Sequence, residues 1–287
     1  MLGNGKFGSV YLAKDTYSGM IVALKKINKQ TLLRLKIEDY LQNEIKIQSY
    51  LNHINIIKLY GFYQDKKSIY LIQEYAHHGS LQNDLIKNKK YTEHQTLIYI
   101  KQIMNALTHM HRNNIIYRDL KPENVLLSFG VAKIGDLGCS VYSIEKKRQT
   151  YCGTVDFMSP EITCGQSYGQ GVDMWSLGIL TYLFLTGYYP FKYNNQNDNI
   201  QHVQKVFFIF YLFYFIIFFF FKQNLSFPYY VSTLAQDFIQ KLLNRDQNQR
   251  ISIEDAVIHP WVNQNLNYYT QENWDNYITN QTMKMIE

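Results

Sequence analysis

The residues best suited to chemistry lie in a short stretch near the middle of the chain. The segment IIYRDLKPENVLL places Asp119, Lys121 and Asn124 within six positions. An aspartate can orient a hydroxyl group and accept its proton, a lysine can offset charge on a transferred phosphoryl group, and an amide oxygen can bind magnesium. Twelve residues after Asn124, Asp136-Leu137-Gly138 supplies a carboxylate suited to the same metal. The spacing predicts a catalytic loop followed by a metal-binding aspartate.

A glycine-rich segment at the start of the chain is suited to holding phosphate groups. Residues 3–10 fit the pattern G-x-G-x-x-G-x-V, whose glycines let a hairpin approach a triphosphate closely. Alone, the segment could equally be an ordinary glycine turn. Seventeen residues after Gly8 comes Lys25, which could hold the α- and β-phosphates, and nineteen residues further lies Glu44. In isolation these two would read as a solvated surface pair, but their order along the chain favours a nucleotide site. The residues of the pattern itself are Gly3, Gly5, Gly8 and Val10.

Composition narrows the class of protein. The chain has 287 residues and a net charge of +6, but its basic residues are spread along it, which disfavours nucleic-acid binding. Its three cysteines, Cys139, Cys152 and Cys164, have neither CxxC nor CxxxC spacing, so we expect no disulfide framework and no zinc site. We expect instead a reducing, intracellular compartment. No apolar leader precedes the first glycines, so we expect no signal peptide and an incomplete first strand.

Hydrophobic periodicity predicts the elements that must position these residues. Alternating apolar positions indicate a β-rich first part, and apolar positions at helical spacing dominate beyond Gly79. We therefore expect a small lobe, a larger helical lobe, and a cleft near residues 74–79. The predicted strands cover 6–14, 20–27, 57–63 and 68–75, and the main predicted helices cover 35–51, 92–112 and 171–186.

From Gly3 to about Trp261 the chain resembles a eukaryotic protein kinase. Besides the motifs above, it carries Ser159-Pro160-Glu161 and Asp173-Met174-Trp175-Ser176-Leu177-Gly178 in the order of that family, with Arg250 where the partner of Glu161 is expected. Lys121 and Thr154 resemble the serine/threonine-specific version. The resemblance implies an α+β fold of two lobes, a small antiparallel sheet with one main helix and a larger, mainly helical lobe. The implied division is 1–76, 77–262 and a tail at 263–287.

Within that family the chain most resembles the Aurora kinases. The segments Glu44-Ile45-Lys46-Ile47-Gln48-Ser49 and Thr150-Tyr151-Cys152-Gly153-Thr154-Val155-Asp156-Phe157 look like the Aurora helix and activation loop, although polo-like and calmodulin-dependent-type kinases share parts of them. The chain departs from the family at four positions: Tyr117 replaces histidine, Leu137 replaces phenylalanine, Asn43 replaces a basic residue, and Leu183 replaces a carboxylate that helps to read substrate arginine.

The resemblance implies ATP and Mg²⁺ as cofactors and assigns a role to each motif. Lys25, paired with Glu44, would position the phosphates, Asn124 and Asp136 would hold magnesium, and Asp119 would orient the acceptor hydroxyl with Lys121 beside it. The adenine would lie between Val10, Ala23 and Leu126, with backbone groups of Glu74 and Ala76 at its edge and Gln73 at the gatekeeper position.

Regulation, substrates and partners follow from the same resemblance. Thr150 would be an activating phosphosite that pairs with Arg118, and Glu123 would favour serine or threonine substrates near basic residues. The Aurora likeness implies a role in mitosis or cell division, spindle or chromosomal activator proteins, and a cytoplasmic or nuclear location with possible spindle or centrosome association. A catalytically impaired pseudokinase or scaffold is the alternative, because the first strand looks incomplete and an aromatic run interrupts the helical lobe.

One segment has no place in the kinase pattern. Residues 206–223 include sixteen consecutive apolar or aromatic residues with neither helical nor strand periodicity. A helix of sixteen residues covers about 24 Å, less than the roughly 30 Å hydrocarbon core of a membrane. Valine codons begin with GT and glutamine codons can end in AG, so we interpret the segment as a translated intron. A genuine buried or interfacial insert and a membrane-associated segment remain the alternatives.

Overall fold

The computed structural model describes residues 1–5, 8–143, 150, 152–191 and 225–264. The segment 206–223 and most of the predicted tail lie outside these residues. Within them, an antiparallel sheet is followed by a mainly helical part, which confirms the predicted α+β, two-lobed fold.

The N-terminal lobe contains a five-stranded antiparallel sheet. Its strands are β1 (Gly3–Gly5), β2 (Gly8–Lys14), β3 (Ile21–Asn28), β4 (Leu59–Gln64) and β5 (Ser68–Glu74), arranged in the order β1-β2-β3-β5-β4. Between β2 and β3 the carboxylate of Asp15 accepts hydrogen bonds from the N–H groups of Tyr17 and Ser18, and Gly19 adopts a φ of 76°. This turn chemistry joins the two strands tightly.

Two helices connect β3 to β4. They are α1 (Lys29–Leu35) and α2 (Glu38–Tyr50). The side chain of Asn28 caps α1 by accepting from the N–H groups of Gln30 and Thr31, and Lys36 ends it in a left-handed conformation. α2 buries Leu41, Glu44, Ile47 and Gln48 along one side, so it places one acidic and one amide side chain against the sheet.

The C-terminal lobe is mainly helical. Its helices are α3 (Leu81–Asn88), α4 (Glu93–Arg112), α5 (Pro160–Thr163), α6 (Gly171–Thr186), α7 (Thr233–Leu242) and α8 (Ile253–Val257). The lobe also contains two short antiparallel pairs: β6 (Ile115–Ile116) with β9 (Val141–Tyr142), and β7 (Val125–Ser128) with β8 (Val131–Ile134). Ser80, Thr92, Ser232 and Ser252 cap α3, α4, α7 and α8 through their hydroxyl groups.

α6 forms the centre of the C-terminal core. Every residue of this helix from Val172 to Thr186 is buried, as expected for a helix that is apolar on all sides. The ring of Phe191 stacks on Trp175, with 5.8 Å between centroids, and the hydroxyl of Tyr182 donates to the carbonyl of Ser226 at 2.7 Å. The described residues on both sides of 192–224 therefore attach to the same helix.

The predicted elements agree with most of those observed. The helices at 92–112 and 171–186 are confirmed by α4 and α6, and the predicted strands by β2 to β5. The helix predicted to start at residue 35 instead starts at Glu38, and α1 was not predicted. Among the described residues, no helix is both long and apolar enough to cross a membrane.

Candidate active site

Lys25 joins the two lobes at the candidate nucleotide site. Its Nζ lies 2.6 Å from Glu44 Oε1 on α2 and 3.1 Å from Asp136 Oδ1, which confirms the predicted pairing with Glu44. Although burial lowers the pKa of Lys25, the two carboxylates raise it overall. Burial raises the pKa of Glu44 against the opposing charge of Lys25, whereas Lys25 lowers the pKa of Asp136. Lys25 therefore remains a cation, and Asp136 an anion, at neutral pH.

The catalytic-loop residues form one hydrogen-bonded group. Asn124 Nδ2 donates to Asp119 Oδ2 at 2.8 Å, and Lys121 Nζ lies 3.1 Å from the same oxygen. Thr154 joins them from the activation segment, since its hydroxyl donates to Asp119 Oδ1 at 3.0 Å and accepts from Lys121 at 2.7 Å. The three residues predicted to be catalytic are thus brought together, with a threonine hydroxyl between two of them.

A buried aspartate binds the backbone of this loop. Asp173 on α6 accepts hydrogen bonds from the backbone N–H groups of Tyr117 and Arg118 at 2.9 and 2.8 Å, and its Oδ2 lies 2.8 Å from His111 Nε2. The hydroxyl of Tyr117 donates to the carbonyl of Gly135 at 2.6 Å. Burial raises the pKa of Tyr117 well above its usual range, so the hydroxyl stays protonated and continues to donate.

Asn124 and Asp136 fit the donor set that magnesium prefers. The N–H of Gly135 donates to the carbonyl of Asn124 at 2.8 Å, which places Asp136 one residue from that contact. The amide nitrogen of Asn124 binds Asp119, so the amide oxygen is the atom that would serve as a ligand of a cation. Among the described residues, no three His, Cys, Asp or Glu side chains form a metal cluster. Mg²⁺ commonly binds one or two protein oxygens together with substrate phosphates, and this sparse set matches that pattern.

The nucleotide would enter between the glycine hairpin and β7. Gly8 passes so close to β3 that a Cβ atom there would lie 1.9 Å from the carbonyl oxygen of Lys26, so its side-chain-free backbone is required by the sheet itself. Gly3 and Gly5 lie in β1, while Lys6 and Phe7 lie outside the described residues. On the sheet, Val10 pairs with Lys25, and Ala23 with Leu12.

The connection between the lobes is held against β7. The N–H of Leu127 donates to Gly79 at 2.8 Å, and the N–H of His78 donates to Leu127 at 3.0 Å, so the connection is held against β7, which carries Leu126. Glu74 ends β5, and its carboxylate lies 2.9 Å from Lys133 Nζ. Ala76 is buried two residues later.

The candidate phosphosite contacts the catalytic loop. Arg118 Nη1 donates to the hydroxyl of Thr150 at 2.7 Å and to the hydroxyl of Tyr168 at 2.8 Å, while its Nε donates to the carbonyl of Cys139 at 2.6 Å. Arg118 itself has a φ of 70°, a conformation that is unfavourable for a non-glycine residue. Residues 144–149 and Tyr151, which flank Thr150, lie outside the described residues.

The predicted pairing of Glu161 with Arg250 is confirmed. Arg250 Nη1 and Nη2 donate to the two oxygens of Glu161 at 2.6 and 3.0 Å, and both side chains are almost fully buried. Such a bidentate pair fixes the end of the activation segment to the helical lobe.

Comparison with known proteins identifies the family. The family model described as protein kinase domain matches residues 1–262. An Aurora kinase of Schizosaccharomyces pombe is 42% identical over 262 residues, which cover 91% of this chain and 69% of that protein. Aurora kinase A-A of Xenopus laevis is 39% identical, with 92% and 61% covered, and Aurora kinase B of Mus musculus is 38% identical, with 92% and 72% covered.

The chain belongs to the Aurora family of protein kinases. It is accordingly a serine/threonine protein kinase of a family that uses ATP and a divalent metal ion. The chain spans about three fifths of the length of the Xenopus laevis relative and somewhat more of the others.

The positions where this Aurora-family chain departs from the expected pattern have different surroundings. Tyr117 is fully buried and bound to Gly135, and Leu137 is buried in the main core. Leu183 is also buried in that core, with 5% of its surface exposed. Glu123, the other carboxylate predicted to read substrate arginine, is exposed.

The expectation that this Aurora-family chain has no disulfide is wrong. Cys139 and Cys152 form a disulfide across 13 residues, with 6.2 Å between their Cα atoms, while Cys164 is free. Gly153 explains the approach: its φ is 115°, and a Cβ atom there would lie 2.6 Å from the carbonyl oxygen of Arg118. Because this glycine lets the activation segment pack on the catalytic loop, Cys152 comes close enough to Cys139 to form the bond. The spacing of the cysteines along the sequence does not reveal this contact.

Proposed function

We propose that this chain transfers the γ-phosphoryl group of ATP to serine or threonine hydroxyls of proteins through the residues of the site described above. The observation that carries the proposal is the contact of Lys25 with both Glu44 and Asp136. A lysine held in this way can grip the phosphates of a nucleotide while the aspartate faces the same space. Magnesium, bound by Asn124, Asp136 and the nucleotide, would supply positive charge next to the phosphates.

The protein's own residues then divide the remaining work. Asp119 would orient the acceptor hydroxyl and take its proton, and Lys121 would offset negative charge on the transferred group. The hydrogen bonds from Asn124 and Thr154 hold the Asp119 carboxylate in one orientation. Since its two oxygens are bound by different side chains, the carboxylate needs little rearrangement before the reaction.

A pseudokinase or scaffold is the competing function. It would preserve the lobes but lack at least one chemical group, or would hold those groups apart. This chain has all five groups, and they form two hydrogen-bonded sets. Lys25 binds Glu44 and Asp136, and Asn124 binds Asp119. Their geometry supports the enzyme over the scaffold.

Replacing Asp119 by asparagine tests the proposed function. We expect Asp119→Asn to lower the rate of phosphate transfer to a basic serine peptide by about 100-fold or more, the usual contribution of a general base. Glu254→Gln, an equivalent change at an exposed position on α8, is the matched control and should retain full activity. Equal activity of wild type and Asp119→Asn would favour the scaffold.

We further propose that phosphorylation of Thr150 activates the kinase. A phosphate on this hydroxyl would lie beside the Arg118 guanidinium, which already binds it at 2.7 Å, and charge-assisted hydrogen bonds would strengthen that contact. Lys147 and Arg148 precede Thr150, so the segment resembles a basic substrate of the kinase itself. Arg118 also binds Cys139, so the same arginine would connect the phosphate to the segment that follows Asp136.

Two variants test this regulation. Thr150→Val should lower activity about tenfold or more, since a charged hydrogen bond contributes about 1.5 to 3 kcal/mol. Protein carrying Asp136→Ala should lack the Thr150 phosphate when purified, because it cannot modify itself. Full activity of Thr150→Val, together with the phosphate on Asp136→Ala protein, would contradict both the switch and its self-catalysis.

Substrate choice and cellular role complete the proposal. We propose that the kinase acts on serine or threonine near basic residues, with exposed Glu123 as the recognising carboxylate and weaker arginine selectivity because Leu183 is apolar and buried. A peptide array that prefers acidic or proline-flanked sites would contradict this substrate assignment and favour a polo-like or other kinase specificity.

The Aurora relationship supports a role in mitosis with spindle or chromosomal activator proteins, at a cytoplasmic or nuclear location.

A further inference from the structure

Two buried glutamines form a polar link inside the N-terminal lobe. Gln73 on β5 donates from Nε2 to Gln48 Oε1 on α2 at 2.9 Å, and Gln48 Nε2 donates to the carbonyl of Ile57 at 2.9 Å. Their exposed fractions are only 8% and 1%. Because a buried amide is unfavourable unless it is hydrogen-bonded, each side chain constrains the position of the other.

This link reaches the nucleotide site from two sides. Gln73 pairs with Ala23 across the sheet, two residues from Lys25. The N–H of Ile57 donates to the carbonyl of Ile134 at 2.9 Å, two residues before Asp136. The chain of contacts thus connects the strand beside Lys25, through α2, to the strand that leads to Asp136.

We propose that Gln73 and Gln48 are positioning residues that hold α2, and through it Glu44, at the distance required for the ion pair with Lys25. Gln48 lies one helical turn after Glu44, so a rotation of α2 that broke the glutamine link would also displace Glu44. The inference rests on the proposed role of Glu44 in the kinase site.

The packing of α2 shows why a directional link matters. Leu41 and Ile47 bury its apolar side, which turns that face towards the core, but the hydrophobic effect is non-directional and a hydrogen bond fixes the rotation of the helix more narrowly. Ile37, at the N-terminal cap, makes no side-chain hydrogen bond to the helix.

The primary experiment is a Gln73→Leu variant analysed by steady-state kinetics. The change keeps the approximate volume and removes the link to Gln48. We expect a five- to tenfold lower kcat/KM for ATP, with a raised KM for ATP and an unchanged KM for the peptide. A purely structural loss would reduce the amount of active enzyme and leave both KM values unchanged. Ile69→Leu, a volume-conserving change on the same strand opposite Ile27, is the control and should leave the KM for ATP unchanged.

A double-mutant cycle with Glu44→Gln identifies the route of the effect. If Gln73 acts through Glu44, the Gln73→Leu change should have little further effect on the KM for ATP in the Glu44→Gln background. An effect of leucine on the nucleotide pocket itself would persist there, and additive losses would overturn the inference. An unchanged KM for ATP in the single Gln73→Leu variant would also overturn it. Wild-type activity of Glu44→Gln alone would contradict the proposed role of Glu44 as well.

Discussion

Tyr117 occupies a position where protein kinases usually carry histidine, and its contacts explain how the site accommodates the exchange. Its backbone N–H binds Asp173, and its hydroxyl binds the carbonyl of Gly135, the residue before Asp136. The Tyr117 side chain therefore connects the catalytic loop directly to the segment that carries Asp136, the proposed magnesium ligand. At this position the departure from the family pattern is compatible with a buried, hydrogen-bonded side chain.

Removal of the Tyr117 hydroxyl should measure this contact. Tyr117→Phe leaves the buried carbonyl of Gly135 without its donor, so we expect the free energy of unfolding to fall by about 1 to 3 kcal/mol. We also expect lower kinase activity, because Asp136 follows Gly135 directly. Urea unfolding and peptide phosphorylation provide the two measurements.

A second tyrosine supplies the matched control for that experiment. Tyr182 donates to the carbonyl of Ser226, so Tyr182→Phe removes the same kind of bond between two residues that make none of the site contacts described above. It should lower stability without changing the specific activity of the folded enzyme. The interpretation of Tyr117 is wrong if both variants have the same specific activity.

The activation segment is the element that differs most from the prediction. Its final part was predicted correctly, since Glu161 pairs with Arg250 as the motif order indicates. Its first part carries the disulfide between Cys139 and Cys152, which the spacing of the cysteines disfavoured. Sequence spacing detects clustered cysteines, whereas this pair is brought together by a turn at Gly153 that packs on the catalytic loop.

Reduction of this disulfide should destabilise the protein. A bond that closes a loop of this length restricts the unfolded chain and contributes up to about 3 kcal/mol. We expect a reductant to lower the urea midpoint of wild type and to have no effect on Cys152→Ala, whose midpoint should already be low. Peptide mapping without reductant should recover Cys139 linked to Cys152. Cys164→Ser is the control and should respond to the reductant as wild type does. Equal responses of wild type and Cys152→Ala would show that the bond contributes nothing to stability.

At the scale of the whole molecule, the order of short motifs was sufficient to predict the two lobes and the pairs Lys25–Glu44 and Glu161–Arg250. Each motif is local, so residue type and spacing within it identify the chemistry. The contacts that complete the site are not local: Thr154 binds Asp119 across 35 positions, and Gln73 binds Gln48 across 25. No periodicity specifies such partners, because they depend on how separate elements pack. α1 was missed since it is only seven residues long and directly follows a strand.

The segment 206–223 lies outside the described residues, and our interpretation of it as a translated intron remains a prediction for the whole chain. Described residues on each side of 192–224 already attach to α6, Phe191 through Trp175 and Ser226 through Tyr182. The segment contains eleven aromatic residues, each of which would bury about 150 Å² or more if covered.

Deletion of 206–223 should therefore give a kinase with unchanged or higher soluble yield and activity. A variant with 206–223 replaced by eighteen Gly and Ser residues is the length-matched control and should behave like the deletion. Sequencing of the mature transcript provides the direct measurement, with codons 206–223 expected to be absent. Their presence in the dominant message, together with loss of activity in both variants, would show that the segment is a genuine part of the enzyme.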